Sequence, residues 1–226
     1  CIVFLVTLFG CKNSPKTIEP AKEEEQSTGF DQMEEIKEIY YRFPSPDEML
    51  NFIDREKLNF NDKLLLPIDY SKTYLDSRSQ TLNLGVYIAD LAYISIFQRQ
   101  KEALEYFQVV YGLSDKLRLS SAFDIRLIQR FEKNMKNSDS LKVLTDLAMN
   151  NITDYLVKND KEKTFAIISI GGYVESLYLA FNLAGNYEEK NPIIQRISDQ
   201  KLVLENLMNY ALAYSEDENV SESIKL

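Results

Sequence analysis

Two stretches of this chain are apolar around nearly their whole helical circumference, and helices of that kind must lie inside something. In Gly85-Val86-Tyr87-Ile88-Ala89-Asp90-Leu91-Ala92-Tyr93-Ile94-Ser95-Ile96-Phe97 the only charge is Asp90, and from Thr164 to Ala184 the only charge is Glu175. A helix hydrophobic on every side is either a central core helix or a membrane span. Ser169, Gly171, Gly172, Glu175, Ser176 and Asn182 interrupt the second stretch and favour a buried helix of a folded domain over a span. Both stretches carry small residues at helical spacing: Gly85, Ala89 and Ala92 in one, Gly172, Ser176 and Ala180 in the other. Mid-helix glycine costs about 1 kcal/mol relative to alanine, so the spacing predicts compensation by close approach of a neighbouring helix. Gly85-Val86-Tyr87-Ile88 and Gly171-Gly172-Tyr173-Val174 also share a Gly-x-Tyr-aliphatic pattern at an offset of 86 residues, an echo compatible with a weak internal duplication.

The rest of the chain is helical in period too. Only 7 Gly and 6 Pro leave little turn chemistry. A short helix is predicted over 32–42, with Met33, Ile36, Ile39 and Tyr40 at helical spacing. Ser45-Pro46-Asp47-Glu48 is a start signal: Ser as N-cap, Pro at the first helical position, acids in the first turn. Leu64-Leu65-Leu66-Pro67 ends a brief turn at its proline. Helices are then predicted over 78–97 and 100–116. Ser121-Ala122-Phe123-Asp124 reads as a capping box opening a helix to about 134. Ser138-Asp139-Ser140 starts another, followed by 164–184 and a last helix from Asn191-Pro192 to about 214. The expectation is an all-α, bundle-like single domain over 31–215, of roughly six to eight helices and no sheet, with 216–226 as a frayed acidic tail.

The N-terminus has a different character. Residues 1–10 carry no charge. As a helix they would rise only about 15 Å, half of a ~30 Å hydrocarbon core, which suits the apolar region of a signal peptide. The run ends Leu8-Phe9-Gly10-Cys11, which resembles the lipobox of bacterial lipoprotein precursors: Leu8 as the bulky residue, Gly10 as the small residue at the cut, Cys11 as the lipid acceptor. Phe9 is larger than is usual at its position. The resemblance implies cleavage before Cys11, diacylglyceryl and palmitate chains on it, and a lipid-anchored place in the cell envelope. Two or more chains anchor stably where one is marginal. Residues 12–30 contain Pro15, Pro20 and an acidic run, Glu23 to Glu25, and read as a flexible polar tether.

Composition removes several chemistries. The sequence contains no His, and its only cysteines are Cys1 and Cys11. Serine–histidine–acid, cysteine–histidine and zinc-finger sites are therefore excluded from the domain. A net charge of −9 at pH 7 gives no basic footprint for nucleic acid. No calcium loop, phosphate-binding glycine loop or dinucleotide fingerprint occurs, so no metal or cofactor is expected.

Three further resemblances attach to particular residues. The block from Leu82 to Phe97, with Ser121-Ala122-Phe123-Asp124, Arg130-Phe131-Glu132 and Gly171-Gly172-Tyr173-Val174-Glu175, resembles an uncharacterised family of all-helical Bacteroidota lipoproteins. It implies a helical envelope protein and supplies no activity. Ala103 and Phe107 sit like the second helix of a tetratricopeptide repeat, but the pattern does not recur at Asn137 and Leu141. Asp139-Ser140-Leu141 resembles the short O-glycosylation motif of Bacteroidota envelope proteins, at a place that also serves as a helix start.

Asp90 and Glu175 are the candidate site residues, because a carboxylate on an all-apolar helix is expensive to bury unless paired or hydrogen-bonded. Two readings stay open. In one they are structural, accepting bonds from a tyrosine, a helix N-terminus, or Arg126 and Arg130, which lie one turn apart. In the other they floor an internal pocket walled by Tyr87, Tyr93, Tyr173 and Tyr178. The functional expectation is a binding or scaffold lipoprotein that offers a groove between helices to a protein partner or small ligand. The alternative is an enzyme with Asp90 and Glu175 as acid and base, the one pair left for such work. For the anchor, Cys11→Ser is expected to abolish labelling by a fatty-acid probe and to release the protein from the membrane fraction. An unmodified Cys11 peptide by mass spectrometry would refute the anchor.

Overall fold

Among the residues described by the computed structural model (50, 53, 56–123, 125–133, 138–186, 188 and 190–226), the chain forms eight α-helices and no strand. They are α1 (Ser77–Ile96), α2 (Gln100–Lys116), α3 (Ile125–Lys133), α4 (Ser138–Lys158), α5 (Glu162–Ala184), α6 (Pro192–Ser198), α7 (Lys201–Leu212) and α8 (Glu218–Ile224). Short 3-10 turns occupy Asp62–Leu64, Ile68–Lys72 and Ser120–Ala122. The fold is an all-α single domain. The leader, Cys11, the 12–30 tether, the 32–42 helix and the Ser45-Pro46 start lie outside the described residues.

The two all-apolar stretches become α1 and α5, and they make the largest helix–helix interface of the fold. α2 and α4 pack onto α1, while α6, α7 and α8 pack onto α5. α5 is long and apolar enough to cross a membrane by length and composition alone, and here 56% of its most apolar window is buried. The expected close approach is present. A Cβ on Gly85 would lie 2.0 Å from the Ile168 carbonyl oxygen, and one on Gly171 would lie 2.0 Å from that of Leu82. Backbone therefore meets backbone, and only glycine fits at either place. The contacts are reciprocal. The 86-residue offset that relates Gly85 to Gly171 also relates Leu82 to Ile168, so the crossing has a local two-fold relation.

Local signals explain most of the ends. Asp76 caps α1 by accepting from the Ser79 N–H at 2.8 Å. Asn191 caps α6 in the same way ahead of Pro192. Three expectations are corrected. The capping-box reading at Ser121 fails because 120–122 form a 3-10 turn and Phe123 is extended (φ −103°, ψ 107°). That conformation carries its ring into the core, 6.0 Å from Phe107 and 5.5 Å from Tyr111 between centroids. The single helix expected over 192–214 divides at Asp199-Gln200, where the Gln200 N–H bonds back to Ile197 and Gln200 is buried. The stretch 216–226, expected to fray, contains α8. Asp217 caps it by accepting from the Asn219 and Val220 N–H groups, and Val220 and Ser223 are buried.

Gly85→Ala and Gly171→Ala are each expected to destabilise the fold by at least 1–3 kcal/mol (order of magnitude), the usual cost of overpacking, because backbone cannot yield as a side chain can. Gly112 in α2 has nothing within 4 Å of a built Cβ. Gly112→Ala should stabilise by about 0.5–1 kcal/mol through helix propensity. Denaturant unfolding of the three variants checks both signs.

Candidate functional site

The segment 58–72 runs over α1 and α2 as a strap. Its two 3-10 turns and Pro67 leave backbone groups without a helical or sheet partner, and buried backbone groups must find one. Side chains of α1 and α2 provide it. The Leu66 N–H donates to Asp90 Oδ2 (3.1 Å), and the Tyr106 hydroxyl donates to the Leu66 carbonyl (2.8 Å). The Tyr87 hydroxyl donates to the Pro67 carbonyl (2.9 Å), and the Asn61 N–H donates to the Tyr93 hydroxyl oxygen (3.0 Å). Phe60 stacks on Tyr93 at 5.4 Å, with the Arg99 guanidinium 4.9 Å above its ring.

Asp90 is thus the polar centre of an apolar helix, and it is 0% exposed. One N–H bond to a carboxylate contributes about 1.5–3 kcal/mol, less than the several kcal/mol of taking the charge out of water. The neutral acid is favoured accordingly. Burial pushes the Asp90 carboxyl well above the usual carboxylate range, and the charge of Glu175 pushes it the same way. Glu175 reaches the same region from α5. It is half-buried, and burial pushes its carboxyl up to about 7. Asp90 Oδ1 and Glu175 Oε1 are both buried without a hydrogen-bond partner.

The structure brings Asp90, Glu175, Tyr87 and Tyr93 together, while the other sequence candidates lie elsewhere. Arg126 and Arg130 are both exposed on α3, which corrects the expectation that they face inward. Leu127 and Phe131 take the buried side of that helix instead, with Phe131 stacked on Phe107 at 3.8 Å. Tyr178 is exposed and walls no internal pocket. Tyr173 is half-buried and donates to the Gln200 carbonyl at 3.2 Å, tying the α6–α7 junction to α5. Tyr106 and the strap backbone complete the cluster and were not singled out from sequence. The available signal was Tyr106 on the apolar side of α2, a ring that buries its body and needs a partner for its hydroxyl.

Acid–base catalysis by the pair would require both carboxyls to reach a substrate. Asp90 is sealed, and one of its oxygens is committed to the Leu66 N–H. Among the described residues, no group of three or more acids is placed to hold a metal ion.

No protein-family model, curated protein or solved structure matches this chain. Fold and site define the class without them: an all-α single domain with a sealed Asp90, a half-buried Glu175 and a tyrosine-pinned strap.

Tyr87→Phe removes one of the two donors to the Pro67 carbonyl, which keeps the Tyr70 N–H, and Tyr106→Phe leaves the Leu66 carbonyl without a donor. Each is expected to cost about 1 kcal/mol in chemical denaturation. Because both hold one strap, the double variant should depart from additivity by about 0.5 kcal/mol or more.

Proposed function

We propose that this chain is a lipid-anchored envelope lipoprotein whose helical domain serves as a binding or scaffold module. The observation that carries the binding part is an outward apolar stripe on α5. Val174 is 50% exposed, Tyr178 44% and Phe181 54%, and their spacing places all three on one side of the helix. Leu202 and Leu204 of α7 are exposed as well, within a turn of the Gln200 carbonyl that Tyr173 ties to α5. Large apolar side chains grouped on a surface mark contact sites more often than scattered ones do. Their arrangement suits a partner that lays an apolar face along α5 beside α7. The anchor rests on Leu8-Phe9-Gly10-Cys11 and would hold the module at an envelope membrane.

The test is site-specific photo-crosslinking from position 181 in native envelope under mild detergent, with and without Tyr178→Lys. The expected result is one discrete adduct, lost in the Tyr178→Lys background without a change in thermal stability. No adduct, or an adduct indifferent to Tyr178→Lys, overturns the proposal. Because both positions are already exposed, the Tyr178→Lys change itself should alter stability by no more than about 0.5 kcal/mol.

A further inference from the structure

The strap is held by side chains of other elements, and one of those holding groups is half of a buried acidic pair. The donors around that pair are already spent: the Leu66 N–H on Asp90 Oδ2, the Tyr106 hydroxyl on the Leu66 carbonyl, the Tyr87 hydroxyl on the Pro67 carbonyl. Asp90 Oδ1 and Glu175 Oε1 still lack a partner, and no ion pair joins either carboxyl to another described residue. Two buried carboxylates within each other's field, without a cation, cannot both stay ionised cheaply. A proton on one of them removes a charge and supplies a donor where there are only acceptors.

We propose that Asp90 and Glu175 hold one proton between them as a latch, and that when it leaves for water the 61–67 strap opens away from α1 and α2. The groups facing the pair fit this assignment. α1 presents Tyr87 and Tyr93 to Asp90, with Tyr74 beside Tyr87, and α2 presents Tyr106, which also feels Glu175, Glu105 and Asp62. All four tyrosines are pushed up by burial first, so they stay neutral where the carboxyls titrate. The other elements packed on α1 and α5 spend charges at the surface, in the pairs Lys142–Asp146 and Lys158–Asp154 of α4, Lys201–Glu205 of α7 and Lys225–Glu222 of α8. On α6, Arg196 is half-buried with interactions of its own.

The direction follows from linkage. In the closed state the Leu66 N–H sits on an Asp90 that is 0% exposed, and burial and the charge of Glu175 hold its carboxyl well above the ordinary 3.8, to which it returns when the strap opens. Opening therefore releases a proton between 3.8 and the raised value. Its equilibrium constant rises by up to about tenfold per pH unit there and levels off above. The latch is firm in acid and slackens towards neutrality. Its release would uncover Tyr87, Tyr93 and Tyr106, a face quite separate from the α5 stripe.

Hydrogen exchange at the Leu66 amide of the full chain reads the latch directly. Corrected for intrinsic rate, its protection should fall by at least about tenfold from pH 5 to pH 8, while that of Ala89 in mid-α1 holds. Glu175→Gln should flatten the pH dependence at Leu66. So should Asp90→Asn, which keeps an acceptor for the Leu66 N–H and serves if the first variant fails to fold. A flat wild-type profile, an undiminished fall in both variants, or a parallel fall at Ala89 overturns the proposal. Recovery of Leu66 protection at pH 8 on adding calcium would also overturn it, by making the pair a metal site.

Discussion

Everything else in this molecule is arranged around the place where α1 and α5 touch backbone to backbone. Gly85 and Gly171 each lie against a carbonyl of the opposite helix, where a methyl group has no room. Each also carries the propensity penalty of a glycine inside a helix. Close packing over the rest of the interface offsets it, with Leu84, Ile88, Leu91, Ile168, Leu179 and Ala180 all buried. Asp90 and Glu175 follow the crossing glycines by about one helical turn. The tight approach that excludes side chains at the glycines thus brings two acids under mutual influence just beyond.

A second economy runs through the tyrosines. The chain has 14 of them and no tryptophan. Tyr87 and Tyr173, equivalent under the 86-residue offset, each send a hydroxyl outward to a carbonyl of a neighbouring loop, Pro67 in one case and Gln200 in the other. Tyr106 does the same for Leu66, and Tyr210 reaches the Glu162 carbonyl in the first turn of α5. The rings fill the core while the hydroxyls bond carbonyls of the strap and of helix ends. In this way a fold of helices carries an ordered strap without a sheet.

What could be read from sequence was whatever depends on neighbours along the chain. The helix over 100–116 was legible to the residue, because its apolar period and its flanks agree. The central place of α1 and α5 followed from their lack of a polar face, and the close approach from Gly85; on α5 the spacing pointed to Gly172, Ser176 and Ala180, and the glycine without room for a side chain is Gly171. Asp90 and Glu175 stood out as charges where none belongs. The strap did not, since Leu64-Leu65-Leu66-Pro67 says that a helix stops there but not that its backbone will be held by Tyr87, Asp90 and Tyr106. The inward placing of Arg126 and Arg130 failed for a related reason. Their helix has Leu127 and Phe131 to bury, and Phe131 finds Phe107 in a ring stack that no local pattern announces. In α8 the acidic residues masked Asp217 as a cap and Val220 as a buried anchor.

The reach of the glycine crossing along the chain also bears on how the molecule forms. Helical domains generally fold fast because most of their contacts are local. Here the tightest contact joins segments separated by an 86-residue offset, and α2, α3 and α4 all lie in the chain between them. The entropic cost of closing so long a loop grows only slowly with length, but it is met before the contact forms. α2 and α4 can dock on α1 before α5 arrives, whereas α6 and α7 find their surface on α5. A nascent chain can therefore pack α1, α2 and α4 together early, but it gains its largest interface, the glycine crossing, only once α5 has emerged.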